Sequence, residues 1–157
     1  MTNKELKAAI KEELKNAGFK KGYRLNIRDS LYDTAIKITI NDPTINRKEI
    51  ERIVNKYEKI ERDERTGEIL SGCNYYVLVE YNYGIFDEVA REYEATAKGA
   101  MLEKGECIRL FDGLNLLNVG NRIEISQPSE HCRRIVNDLK ELSIFIYKFA
   151  KFGTIEA

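Results

Sequence analysis

The chain has 157 residues, 43% of them apolar and 33% charged, with 26 basic and 26 acidic side chains and a formal net charge of zero. This composition supplies a core and excludes a disordered chain, which combines low hydrophobicity with high net charge. It also excludes the global basic footprint that drives nonspecific nucleic-acid binding, and residues 1–83 and 84–157 are each close to balance.

Thr2 and Glu5 form a T-x-x-E capping box ahead of a helix marked by Leu6, Ile10, Leu14 and Ala17, and Gly18 supplies a left-handed stop. After a Lys20-Lys21-Gly22 loop, Tyr23, Leu25 and Ile27 alternate with Arg24, Asn26 and Arg28, the pattern of a half-buried strand. Asp29 and Ser30 open a turn. Ile36, Ile38 and Ile40 alternate with Lys37, Thr39 and Asn41, which predicts a hairpin with one wet face.

Asn41-Asp42-Pro43-Thr44 starts a second helix, whose face is Ile50, Ile53, Val54 and Tyr57. Residues 59–68 are charged and read as a loop or hairpin tip. Tyr75 to Tyr81 is apolar on both faces near its middle, which predicts an interior strand.

Gly84 breaks the chain. Phe86, Val89, Ala90, Tyr93 and Ala97 predict a third helix ending near Gly99. Ile108 to Phe111 is a short strand, Leu114 to Val119 a loop between Asp112-Gly113 and Gly120-Asn121, and Arg122 to Ser126 a further strand. Pro128-Ser129-Glu130 opens a last helix lined by Ile135, Val136, Leu139, Leu142, Phe145, Ile146 and Phe149.

The order α-β-β-α-β-α-β-β-α predicts an α+β fold. Its sheet is antiparallel or mixed, with about five strands and helices mainly on one face. One domain over 1–157 is expected, with an N-terminal half 1–83 and a C-terminal half 84–157 packed on it. No signal peptide is visible, and Leu139 to Phe152 is interrupted by four charged residues, so a cytoplasmic protein without a membrane span is expected. The last helix reads as the core helix, with homodimerisation through it as the alternative.

No constellation of residues makes an active site, so neither cofactor nor metal is expected. Cys73, Cys107 and Cys132 are odd in number and lack CxxC spacing, and buried or half-buried thiols are the expectation. The one histidine, His131, adjoins Cys132. Neighbours on a helix point about 100° apart and do not converge on one atom. Asp63, Glu64 and Glu68 read as a solvated loop, and Asp87 and Glu88 as a helix first turn. Isolated Gly67, Gly72 and Gly84, and the Gly99/Lys104/Gly105 segment, form no phosphate loop.

What stands out instead is a surface. Arg24, Asn26 and Arg28 should lie beside Lys37, Thr39 and Asn41 on one polar sheet face, with Lys20 and Lys21 at its edge, a surface suited to phosphates or acidic protein. Tyr75, Tyr81 and Tyr83 fall on one side of the tyrosine-rich strand and Tyr76 on the other. Tyr76, Tyr81 and Tyr83 join the candidate partner-binding set because tyrosine serves well at interfaces.

The succession Ile10-Lys11-Glu12-Glu13-Leu14-Lys15, Tyr23-Arg24-Leu25-Asn26-Ile27-Arg28, Ile36-Lys37-Ile38-Thr39-Ile40, Asp42-Pro43-Thr44 and Ile50 to Tyr57 resembles a small α+β module. That module occurs in the large polyvalent proteins of phages and conjugative elements. The resemblance covers about half the chain, from Ile10 to about Asn82. It implies a mobile-element origin and a counter-defence role, with no catalytic residues to carry over. Small accessory proteins of that kind, anti-CRISPR proteins among them, act by stoichiometric binding, so the expected partner is a host protein such as a defence nuclease or its ribonucleoprotein complex. The alternatives are a nucleic-acid-binding accessory module that uses the basic hairpin face, and a thiol- or carboxylate-dependent enzyme.

Overall fold

The first helix, α1 (Asn3–Asn16), starts where its capping box puts it. Thr2 Oγ1 accepts from the Glu5 amide at 3.2 Å, and Glu5 Oε2 accepts from the Thr2 amide at 2.7 Å. The helix ends in a Schellman motif. Gly18, at φ 97°, donates to Lys15 O and Phe19 to Leu14 O, so Phe19 folds back onto the same core as Leu14. This computed structural model describes residues 1–70, 72–102, 107–120 and 122–157. Lys104, Gly105 and Asn121 lie outside the described residues.

The chain then forms β1 (Tyr23–Ser30) and β2 (Asp33–Ile40), an antiparallel hairpin. Its turn is Leu31-Tyr32, two residues later than expected. Asp29 and Ser30 are strand residues paired with Thr34 and Asp33, and Asp29 Oδ1 accepts from the Thr34 hydroxyl at 2.8 Å. Asn3 Nδ2 donates to the other Asp29 oxygen, fixing the start of α1 beside the end of β1.

A helix α2 (Arg47–Val54), capped by the Asn46 side chain, crosses to β3 (Tyr75–Tyr81), which pairs with β2 in parallel. The strand order is β1-β2-β3. The strand expected in the interior, Tyr75–Tyr81, is therefore an edge, and β2 is the interior strand. A run apolar on both faces mimics two-sided burial, yet Leu78 is 52% exposed. Leu6, Ile10, Leu14, Ile50 and Val54 pack on Leu25, Ile36, Ile38, Ile40 and Val79, so both helices cover one face of the sheet.

The charged connection before β3 contains a hairpin bridge, Arg62 to Ile69. Buried Asn74 anchors it. Its side chain accepts from Glu61 N and donates to Leu70 O, while its backbone donates to Asp33 and accepts from Thr34 N. Tyr57 joins α1 to α2: its hydroxyl donates to Glu13 Oε1 at 2.5 Å, and Lys56 pairs with the same carboxylate. Lys56, then Tyr57, hold the Glu13 carboxyl below its usual range. Burial, then Glu13, push the Tyr57 phenol up to about 12.

The second compact unit, Gly84–Ala157, has its own sheet. Short α3 (Asp87–Ala90) leads through a 3-10 turn to α4 (Glu94–Leu102), which continues past Gly99 because a glycine without positive φ weakens a helix without breaking it. Four strands follow as an antiparallel meander: β4 (Cys107–Leu110), β5 (Leu114–Asn118), β6 (Ile123–Gln127) and β7 (Cys132–Val136). The expected loop Leu114–Val119 is thus strand β5, with Leu114, Leu116 and Asn118 turned inward at period two.

The expected long last helix divides. Pro128–Glu130 is a 3-10 turn, Ile135 and Val136 belong to β7, and α5 runs from Leu139 to Phe152 with Asp138 as its cap. Leu142 and Ile146 pack into a core with Ala97, Leu116, Ile125 and Val136. The fold is α+β. The single sheet of about five strands is replaced by two sheets, of three and four strands.

Leu31 sits at φ 52° and is 97% exposed. An L residue in this region costs roughly 1–2 kcal/mol, so Leu31→Gly should stabilise unit 1 by about 0.5–1 kcal/mol in urea melts after the loss of chain stiffness. For Tyr57, a raised folded pKa gives stability that is complete below pH 10.0 and fades as pH climbs towards about 12. Tyr57→Phe should cost about 1 kcal/mol at pH 8, the Glu13 partner being partly solvated. It should also flatten the loss of stability between those two pH values in alkaline melts.

Candidate binding groove

The register sorts the expected surface residues by face. Arg24 stands opposite Thr39, Asn26 opposite Lys37, and Arg28 opposite Ala35, while Ala35, Lys37 and Thr39 neighbour Tyr76, Leu78 and Glu80 on β3. Arg24, Asn26, Arg28, Lys37 and Tyr76 therefore share the sheet face away from the helices. Asn41, expected there too, follows the end of β2 and bonds through its amide to Gly22 O. Lys37 is engaged by Glu80 at 2.7 Å.

Tyr81 lies on the opposite, core face. Its hydroxyl accepts from the Arg47 amide at 2.9 Å and donates to Ile45 O at 2.8 Å, fastening the start of α2 to β3. Tyr83 follows the end of β3 and is 96% exposed. Lys20 and Lys21 are exposed in the α1–β1 turn.

The strongest feature is a groove of about 660 Å³ between α1 and the free edge of β1. Lys7, Lys11, Lys15, Lys20 and Arg24 supply its charge, and Phe19 and Tyr23 its aromatic surface. Burial raises the Tyr23 phenol pKa. Among the described residues, none of the five cations forms an ion pair. At about 100° per residue, Lys4, Lys7, Lys11 and Lys15 fall within roughly 80° of arc, with Glu5, Glu12 and Glu13 beyond it. Charge is thus segregated on α1: Glu13 turns to Lys56 and Tyr57, Glu5 caps the helix start, and Lys7, Lys11 and Lys15 border the β1 edge.

Lys7, Lys11 and Lys15 were absent from the set expected from sequence, although their four-residue spacing is visible in it. Spacing shows a lysine stripe and does not show which strand the stripe will face. Of the expected residues, the groove gathers Lys20, Arg24 and Asn26.

The remaining candidates are scattered. Asp63 caps its own turn, where the Thr66 and Arg65 amides hold its carboxyl below the usual range. Asp87 pairs with Lys140 at 3.0 Å. His131 is an exposed left-handed residue at φ 50° ahead of β7, outside any long helix. Cys132 is buried, and its thiol donates to Glu156 Oε1 at 3.1 Å. Cys73 and Cys107 are exposed, which corrects the expectation of three buried or half-buried thiols. Both stand at strand margins, where solvent reaches one side of the chain. Among the described residues no cluster of His, Cys, Asp and Glu could hold a metal, and no helix is long and apolar enough to cross a membrane.

The chain matches no protein-family model, no curated protein and no solved structure.

The thiol exposures are directly measurable. A disulfide reagent on the native protein should label Cys73 and Cys107 promptly and Cys132 only on unfolding, read site by site by peptide mass spectrometry.

Proposed function

We propose that the protein acts by stoichiometric binding and not by turnover, and that the α1–β1 groove contacts an anionic partner. The observation that carries this reading is five cations that line one groove, none with a carboxylate partner among the described residues. Like charges four residues apart on a helix repel by a few tenths of a kcal/mol each. An anionic ligand removes that repulsion and adds attraction of its own, because the groove walls keep water to one side.

The resemblance of the N-terminal half to a module of phage and conjugative-element proteins supports a host partner. On that basis we take the partner to be a defence nuclease or its ribonucleoprotein complex. A nucleic-acid accessory module is the second reading. Phe19 and Tyr23 favour it, since bases stack on aromatic rings beside a basic track.

Reversing the groove charge with Lys7→Glu, Lys11→Glu and Lys15→Glu tests the surface itself. The triple variant should keep its helical circular dichroism and elute from immobilised heparin at clearly lower salt than the wild type. Equal elution would remove the groove from the reading. Candidate defence nucleases should lose activity at stoichiometric excess of the wild type and keep it with the triple variant. Intact nuclease activity throughout would overturn the counter-defence role.

A further inference from the structure

The groove has a second property besides charge: one wall is an unpaired strand edge. In an antiparallel pair, alternate residues exchange both backbone bonds with the partner strand, and the residues between turn both groups the other way. The Asn41 amide bonds to Gly22 O at 2.7 Å, and the two-residue turn makes Ser30 and Asp33 the closing pair. Even-numbered residues of β1 therefore bond to β2. Tyr23, Leu25 and Ile27 turn N–H and C=O to the open side, and Tyr23 and Leu25 line the groove. The far edge of the same sheet is treated differently. There Lys59 exchanges two backbone bonds with Tyr75, and Glu58 Oε2 accepts from the Val77 amide.

We infer that the groove takes an extended acidic polypeptide segment, which adds a fourth strand at the β1 edge beneath the lysines of α1. The inference rests on the groove being the contact surface, as proposed above, and names the class of its ligand. Strand addition supplies main-chain hydrogen bonds to an exposed edge, and alternate side chains supply specificity. The spacings agree. Lysines four apart on α1 repeat about every 6 Å along the helix axis. Alternate residues of an extended chain repeat about every 6.6 Å on one face. Asn3 on Asp29 at one end and the turn through Phe19 at the other set α1 alongside β1. A segment with Glu or Asp at every second position thus presents a carboxylate to each of Lys7, Lys11 and Lys15. Its other face lies beside Arg24 and Asn26 of the sheet.

A nucleic-acid strand would engage the cations and leave the edge amides of Tyr23 and Leu25 to water. A peptide engages both sets, and the open edge favours it on that ground.

The test uses the full chain and three fluorescent probes. The first is a peptide of about eight residues alternating glutamate with valine or threonine, long enough for one strand. The second has the same sequence with alternate backbone nitrogens methylated on the pairing edge. The third is oligothymidylate. The unmodified peptide should bind and shift the amide resonances of Tyr23, Leu25 and Ile27. Methylation should weaken it at least about tenfold, the effect of losing a modest binding increment. Lys11→Gln should weaken binding of the unmodified peptide without lowering the protein's melting temperature.

Equal affinity for the methylated peptide would overturn strand addition while leaving the basic groove intact. Tighter binding of oligothymidylate than of the peptide would make nucleic acid the ligand and overturn the inference. Failure of all three probes to bind also overturns it. Combined with heparin elution unaffected by charge reversal, that failure would overturn the groove reading as well.

Discussion

Unit 1 has two helices and a three-stranded sheet, and two helices can cover only one of the sheet's faces. Most of its surface chemistry follows from that shortage. Ile36, Ile38 and Ile40 of the central strand meet Ile10, Leu14, Ile50 and Val54, and that layer holds the unit together. At roughly 25 cal/mol per Å² of buried apolar surface, each fully buried isoleucine contributes on the order of 2 kcal/mol. The face away from the helices is mostly polar, with Arg24, Asn26, Arg28, Lys37 and Glu80 around Tyr76 and Leu78. The sheet edges need handling of their own, since an unpaired edge is a template for unwanted pairing. The β3 edge is partly occupied by Glu58 and Lys59. Lys7, Lys11 and Lys15 flank the β1 edge, and charge beside an open edge discourages unwanted pairing.

α1 was legible in the sequence almost to the residue. Its capping box, apolar stripe and Gly18 stop are local signals, and local physics decides them. The hairpin was legible for the same reason, because period-two alternation survives any tertiary setting. Its turn was misplaced because Leu31-Tyr32 carries no turn chemistry, whereas Asp29-Ser30 does. Those polar residues close the strand pair instead, through Asp29 to Thr34. In the second unit, Leu114-Asn115-Leu116-Leu117-Asn118 lacks β-branched residues and has turn-forming Asn on either side of its leucines. Only its pairing with β4 and β6 makes it a strand. Ile135 and Val136 fall in step with the stripe of α5 and so read as its first turn. The Asn137-Asp138 break, with Asp138 capping the helix, marks the true start.

The groove was half legible. Arg24 and Asn26 came from the strand pattern and Lys20 from its flank. The lysines of α1 needed the packing angle of the helix, which no local signal encodes. Tyr81 shows the reverse error. Tyrosine in a strand suits an interface or a core equally well, and here the hydroxyl between Arg47 N and Ile45 O assigns it to the core.

The parallel pairing of β2 with β3 also has a kinetic meaning. The β1–β2 hairpin joins neighbours across two residues and can form within microseconds. β3 reaches β2 only after residues 41–74 have been laid down, α2 included, and closing that loop costs entropy before any contact repays it. During that interval β2 is an exposed Ile-rich strand with one bare edge. Asn74 ties the closing end of that loop, bonding to Glu61 N and Leu70 O within it and to Asp33 and Thr34 at β2. The hairpin is therefore expected to form before the third strand, and the hazard of misassembly falls in the interval between them.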